Sequence, residues 1–119
     1  MKLSRHFNRR EFACQCGCGS DTVDAELIQI LEHTRLHFKR PITIKSGVRC
    51  AEHNKSVGGS KNSLHITGRA ADFKVQGVSS KDVYTFLADY LNKRGGLGLY
   101  SSWVHVDSRS NGPARWGNK

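Results

Sequence analysis

Residues Ser63–Phe73 read SLHITGRAADF. An imidazole, His65, and a carboxylate, Asp72, stand seven residues apart with Gly68 between them. Gly68 suits a turn, and the run that follows, RAADFKV, alternates as a strand does. Ala71, Phe73 and Val75 take one face of that strand, and Asp72 and Lys74 take the other. The stretch therefore predicts a turn that feeds a strand, with a histidine on the first and a carboxylate on the second. Its plain reading is a turn and a strand; its chemical reading is half of a metal site.

The other half lies in WVHVD, Trp103–Asp107. Val104 and Val106 point toward a core, while Trp103, His105 and Asp107 share the opposite, open face. If the two strands are neighbours, Asp72 and His105 share that face and His65 reaches over them from its turn. Two imidazoles and one carboxylate are the ligand set of a catalytic zinc with a fourth position left for water. Bound zinc acidifies that water and polarises a carbonyl, and amide hydrolysis needs both effects.

The remaining pattern supplies a frame. A helix begins at Asp21 or Asp24, carries Leu27, Ile28, Leu31 and Phe38 near one face, and stops before Pro41. PITIKSG is a short strand closed by Gly47, and RCAEHNKSVGGSKNS reads as a long polar loop. SSKDVYTFLADYLNKRGG is the clearest helix, capped by Ser79 or Ser80, striped by Val83, Phe86, Leu87, Tyr90 and Leu91, and ended by Gly95. GLGLY and WVHVDS are strands joined by a tight turn at Ser101-Ser102, and the last dozen residues look irregular. The order predicts an α+β fold, a small antiparallel or mixed sheet with helices packed on one side. All 119 residues form one domain with a modest core.

A net charge of +9 favours polyanions such as nucleic acid, anionic lipid or an acidic wall polymer, without choosing among them. The basic residues are scattered, so no arm for specific nucleic-acid binding is expected. No segment reaches membrane-spanning length, and the N-terminal MKLSRHFNRREF lacks the apolar run of a secretory signal. The chain is expected to be a monomer made in a cytoplasm. Cys14, Cys16, Cys18 and Cys50 leave three states open: a structural zinc, disulfides or free thiols. His33 and His37 lie four apart on the first helix but read as its solvated flank. His53 beside Asn54 invites a metal-dependent nuclease reading, which leaves GRAAD and WVHVD unexplained.

SxHxxGxAxD followed by HVD resembles the zinc D-Ala-D-Ala carboxypeptidase family of peptidoglycan peptidases, whose fold is shared with the hedgehog signalling domain. PITIKSGVRCAEHN, VGGSKNSLH, GGLGLY and EFACQCGCG also resemble segments of its short phage and bacterial members. The resemblance implies zinc on His65, Asp72 and His105, and Arg49 on a substrate carboxylate or carbonyl. Many members carry an acid or a histidine just before the last zinc histidine as general base, where this chain has Ser102, Trp103 and Val104. Asp107 is then the candidate base or the group that orients His105, with Glu52 a weaker candidate. Ser63 binds substrate or shapes the turn, and Trp103 stacks on substrate or packs at the rim. The resulting expectation is a zinc peptidase acting on peptidoglycan stem peptides or cross-links, as carboxypeptidase or endopeptidase. It would be released to the wall or injected, as a phage lysis or tail-associated enzyme is. The competing expectations are a zinc-containing wall-binding module without turnover and a nuclease.

Overall fold

The computed structural model describes residues 2–59, 63–110 and 112–117. After a 3-10 turn at Arg9–Glu11, the elements run α1 (Ala25–Phe38), β1 (Ile42–Ser46), α2 (Ala51–Ser56), β2 (Ala70–Val75), α3 (Ser80–Leu91), β3 (Gly96–Leu99), β4 (Val104–Asp107) and β5 (Ala114–Gly117). The five strands form one mixed sheet in the order β1-β2-β4-β3-β5. Among the described residues only the β3–β5 pair is parallel. This is the α+β architecture expected from the order of elements.

The helices form where their ends are satisfied. Asp24 caps α1 by accepting from the Leu27 N–H, and Ser79 caps α3 by accepting from the Asp82 N–H. Leu27, Ile28, Ile30 and Leu31 of α1 and Val83, Leu87 and Leu91 of α3 are buried, and they meet Ala71, Phe73, Val75, Leu97, Val104 and Val106 of the sheet in one core. Phe7 and Phe12 join it from the N-terminal segment. The first segment is fastened to α1 by Glu32, which accepts from the Ser4 hydroxyl and from the His6 N–H at 2.7 Å, and pairs with His6 Nδ1 at 2.6 Å.

Burial pushes the Glu32 carboxyl up, but the hydrogen bonds from Ser4 and His6 outweigh it and lower its pKa. A carboxyl depressed in the folded state adds stability above its unfolded value of about 4.3, lost as pH falls through the folded one. Glu32→Gln is therefore expected to lower the unfolding free energy by about 1–3 kcal/mol near neutral pH. Urea unfolding across a pH series should show the gap between variant and parent closing in acid.

Three sequence expectations are corrected. The stretch read as one long loop contains α2, whose N-cap is a sulfur: Cys50 Sγ accepts from the His53 N–H at 3.4 Å. The part of that loop at 60–62 lies outside the described residues. The irregular tail contains β5, and its Arg115 donates to the carbonyls of Asn92, Arg94 and Gly95. The cation at the end of α3 is thus supplied from β5, and the helix stops at Leu91, before Lys93 and Arg94. His33 and His37 are exposed, as expected of a helix flank, and they stack on Tyr90 and Phe86 of α3 with ring centres 4.1 and 4.0 Å apart.

Candidate metal centre

The pairing of β2 with β4 sets Asp72 directly opposite His105. The Leu64–Gly68 turn delivers His65 to the same place. Gly68 holds φ +71, and a Cβ there would lie 2.0 Å from the Thr22 carbonyl oxygen, so both conformation and space demand glycine. Ser63 braces this turn by accepting from the His65 N–H at 3.2 Å.

Each imidazole is oriented by a partner on its far side. His65 Nδ1 donates to the Gly47 carbonyl at 2.7 Å, because a carbonyl can only accept. This leaves Nε2 directed at Asp72 Oδ1, 3.5 Å away. His105 Nε2 meets Asp107 Oδ2 at 2.9 Å, which leaves Nδ1 3.0 Å from the same Asp72 oxygen. Three electron-pair donors, two nitrogens and one oxygen, thus converge. One donor atom from each of the three residues lies within 4.8 Å of the others.

The electrostatics fit a cation at that point. Burial pushes the Asp72 carboxyl up, yet the hydrogen bonds of His105 and His65 and their charges hold it well below the usual carboxylate range. Burial opposes charge on His105, yet the hydrogen bonds to Asp107 and Asp72 raise its pKa. A place that draws a proton between an imidazole and a carboxylate also accepts a metal ion, with the proton released. The nitrogen and oxygen donors, and an oriented far nitrogen on each histidine, suit zinc.

Of the other expected site residues, Arg49 contacts the donor set. Arg49 is half-buried and held by Ser46 Oγ at 3.3 Å and Asn54 Oδ1 at 3.0 Å, with Nη2 3.6 Å from Asp72 Oδ2. Trp103 stacks on Tyr100 at 4.8 Å, under Lys45 Nζ. Glu52 is exposed on α2.

Alternation in WVHVD places Asp107 beside His105 but leaves the pair uncovered, whereas all four β4 residues are buried and Asp107 is 0% exposed. The cover comes from residues that sequence reasoning missed. Arg109 grips Asp107 through Nε and Nη2, each at 2.8 Å, and Trp116 lies 5.0 Å from the His105 ring. Burial pushes the Asp107 carboxyl up, but Arg109 and then His105 outweigh it and hold it well below the usual range. Gly96 and Gly98 leave room for this cover: a Cβ at 96 would sit 2.1 Å from Asp107 Oδ2, and one at 98 would sit 2.3 Å from Trp116 Nε1. The alternation of glycine with leucine in GLGL was the available signal, since period two strips one strand face bare.

The four cysteines form a second cluster. All four are free, with Cys14 and Cys16 Sγ 3.4 Å apart and Cys16 and Cys50 Sγ 3.5 Å apart. Among the described residues, His33, His37 and His53 belong to neither donor group.

An α+β sheet that brings two imidazoles and a carboxylate to one point is a candidate metal centre. The sequence matches the Peptidase M15 family over residues 5–107, and the chain belongs to that family. It is 33% identical over 87 residues to the peptidoglycan L,D-endopeptidase MepK of Escherichia coli K12, covering 67% of this chain and 45% of the relative. It is 38% identical over 81 residues to the probable peptidoglycan L,D-endopeptidase MepK of Haemophilus influenzae, covering 62% of this chain and 41% of the relative. The chain thus matches less than half the length of these curated relatives. No helix among the described residues is long and apolar enough to cross a membrane.

Proposed function

We propose that the chain is a zinc-dependent peptidase that hydrolyses an internal amide bond of peptidoglycan peptides. The carrying observation is the convergence of His65 Nε2, Asp72 Oδ1 and His105 Nδ1, each imidazole fixed from behind by Gly47 or Asp107. Zinc held there would act as a Lewis acid on the scissile carbonyl and acidify a bound water. The L,D-endopeptidase names of the relatives favour an internal cut over removal of a terminal D-alanine.

The chain's own residues divide the remaining work. Arg49 offers a guanidinium fork to the carbonyl or carboxylate of the peptide, pre-set by Ser46 and Asn54. Tyr100 and Trp103 form an aromatic wall on which the peptide lies. Ser63 shapes the turn that carries His65. Of the two roles open to Asp107 we assign positioning: it is buried, bound by Arg109 and held ionised, so it is a weak proton acceptor that keeps His105 Nε2 protonated.

The test is mass spectrometry of purified muropeptides incubated with zinc-loaded protein, beside His65→Ala. An internal cut absent from the variant supports the reading, and loss of one terminal alanine would make the protein a carboxypeptidase. Arg49→Lys keeps the charge but loses the fork, and about a tenfold fall in kcat/KM is expected. A second reading is a wall-binding module without turnover. It is favoured by one observation: Asp107, the further carboxylate that pairs with this centre among the described residues, is buried behind His105. Bound zinc with no product from any muropeptide would select it.

A further inference from the structure

We propose that Cys14, Cys16, Cys18 and Cys50 hold a second metal ion, a structural zinc, that ties the N-terminal segment to the loop carrying Gly47 and Arg49. The four sulfurs all lie within 4.8 Å of one another. Their closest separations, 3.4 and 3.5 Å, are far beyond a disulfide bond of about 2.05 Å. Four thiolates about 2.3 Å from a tetrahedral zinc stand about 3.8 Å apart, which is close to what is found. Backbone N–H groups already point at two of the sulfurs: Cys50 N–H at Cys14 Sγ, 3.3 Å, and His53 N–H at Cys50 Sγ, 3.4 Å. Such donors stabilise thiolate charge.

The Cys-x-Cys-x-Cys spacing is unusual for zinc, and the backbone explains how it serves. Gly17 and Gly19 adopt φ +82 and +91, with nothing among the described residues near where a Cβ would lie. Their role is therefore conformational, and the segment curls so that the Cys14 N–H reaches the Ser20 carbonyl at 2.8 Å. Three thiols close together in sequence thereby gather around one point, and the fourth arrives from Cys50, the cap of α2.

What the ion would hold follows from the neighbours of Cys50. Gly47 orients His65, the Val48 N–H donates to the Phe12 carbonyl at 2.7 Å, and the Arg49 N–H donates to the His65 carbonyl at 2.9 Å. Phe12 sits so close that a Cβ on Gly47 would meet its Cα at 2.7 Å. Residues 47–50 are thus clamped between the cysteine segment and the His65 turn. The cysteine site stands without the proposed function; only its effect on hydrolysis rests on that reading.

The test uses the full chain carrying His65→Ala and Asp72→Ala, which removes the other donor set. Zinc analysis and X-ray absorption should find one ion per chain with a shell of four sulfurs at about 2.3 Å. No ion, a shell containing nitrogen or oxygen, or the mass loss of a disulfide in the freshly purified chain would overturn the proposal. If that variant does not fold, the unaltered chain loaded with cobalt decides: intense thiolate-to-cobalt charge transfer supports the site, and its absence overturns it. Cys16 is exposed, so Cys16→Ser disturbs little packing. It should lose one zinc equivalent and lower the melting temperature, and unchanged zinc content would overturn the proposal.

Discussion

Gly96→Ala is expected to destabilise the protein by about 3–5 kcal/mol, far more than one added methyl on a strand usually does. Gly96 lies opposite Asp107 in the β3–β4 register, and the new Cβ would fall 2.1 Å from Oδ2 and 2.5 Å from both Cγ and Oδ1. A flexible side chain could swing away, but this carboxylate is gripped by Arg109 and His105 and is fully buried. The substitution must move the strand or break a buried ion pair. Gly117→Ala in β5 is the matched control, because among the described residues its Cβ would meet only Leu99 Cβ, at an ordinary 3.6 Å. Urea unfolding of the two variants should separate them by most of the predicted cost. Equal stabilities would mean that Asp107 is free to move, and the positioning role assigned to it would fall.

The chemistry was easier to read than its support. His65, Gly68 and Asp72 stand in one short stretch, and strand alternation alone puts Asp72 and His105 on a common face, which the β2–β4 register then sets opposite each other. The family resemblance carried by the same residues is the family to which the chain belongs. Alternation names a face but not what covers it. Arg109 and Trp116, which close over Asp107 and His105, come from the segment read as irregular, because β5 exists through parallel pairing with β3 and through Arg115 reaching the end of α3. No local pattern announces either contact. Helix α2 was hidden for a different reason. It is under two turns long, polar, and capped by a cysteine sulfur where a sequence reader looks for Ser, Thr, Asp or Asn. The carbonyl of Gly47, which fixes the His65 tautomer, belongs to the backbone and leaves no trace in residue identity.

Removing a donor and removing the group that orients a donor should differ in kind. His65→Ala deletes one of three converging atoms, and at moderate zinc concentrations the centre is expected to hold no metal and to lose hydrolysis by more than about a thousandfold, over 4 kcal/mol in the barrier. Asp107→Asn keeps all three donors and the shape of the buried side chain. An amide carries no charge and can present N–H to His105 Nε2, which then accepts and leaves its proton on Nδ1, the atom directed at Asp72. The metal would have to displace that proton and turn the ring back to its former tautomer. Zinc affinity is therefore expected to fall by about 10–100-fold, with activity recovered when zinc is raised to compensate. Arg109 would lose its ionic partner in the same variant, so a modest loss of stability should accompany the change. If Asp107 were instead the proton acceptor of the reaction, saturating zinc would restore binding and leave kcat depressed. Competition with a chromophoric chelator, together with kcat measured at saturating zinc, distinguishes the two roles in one pair of titrations.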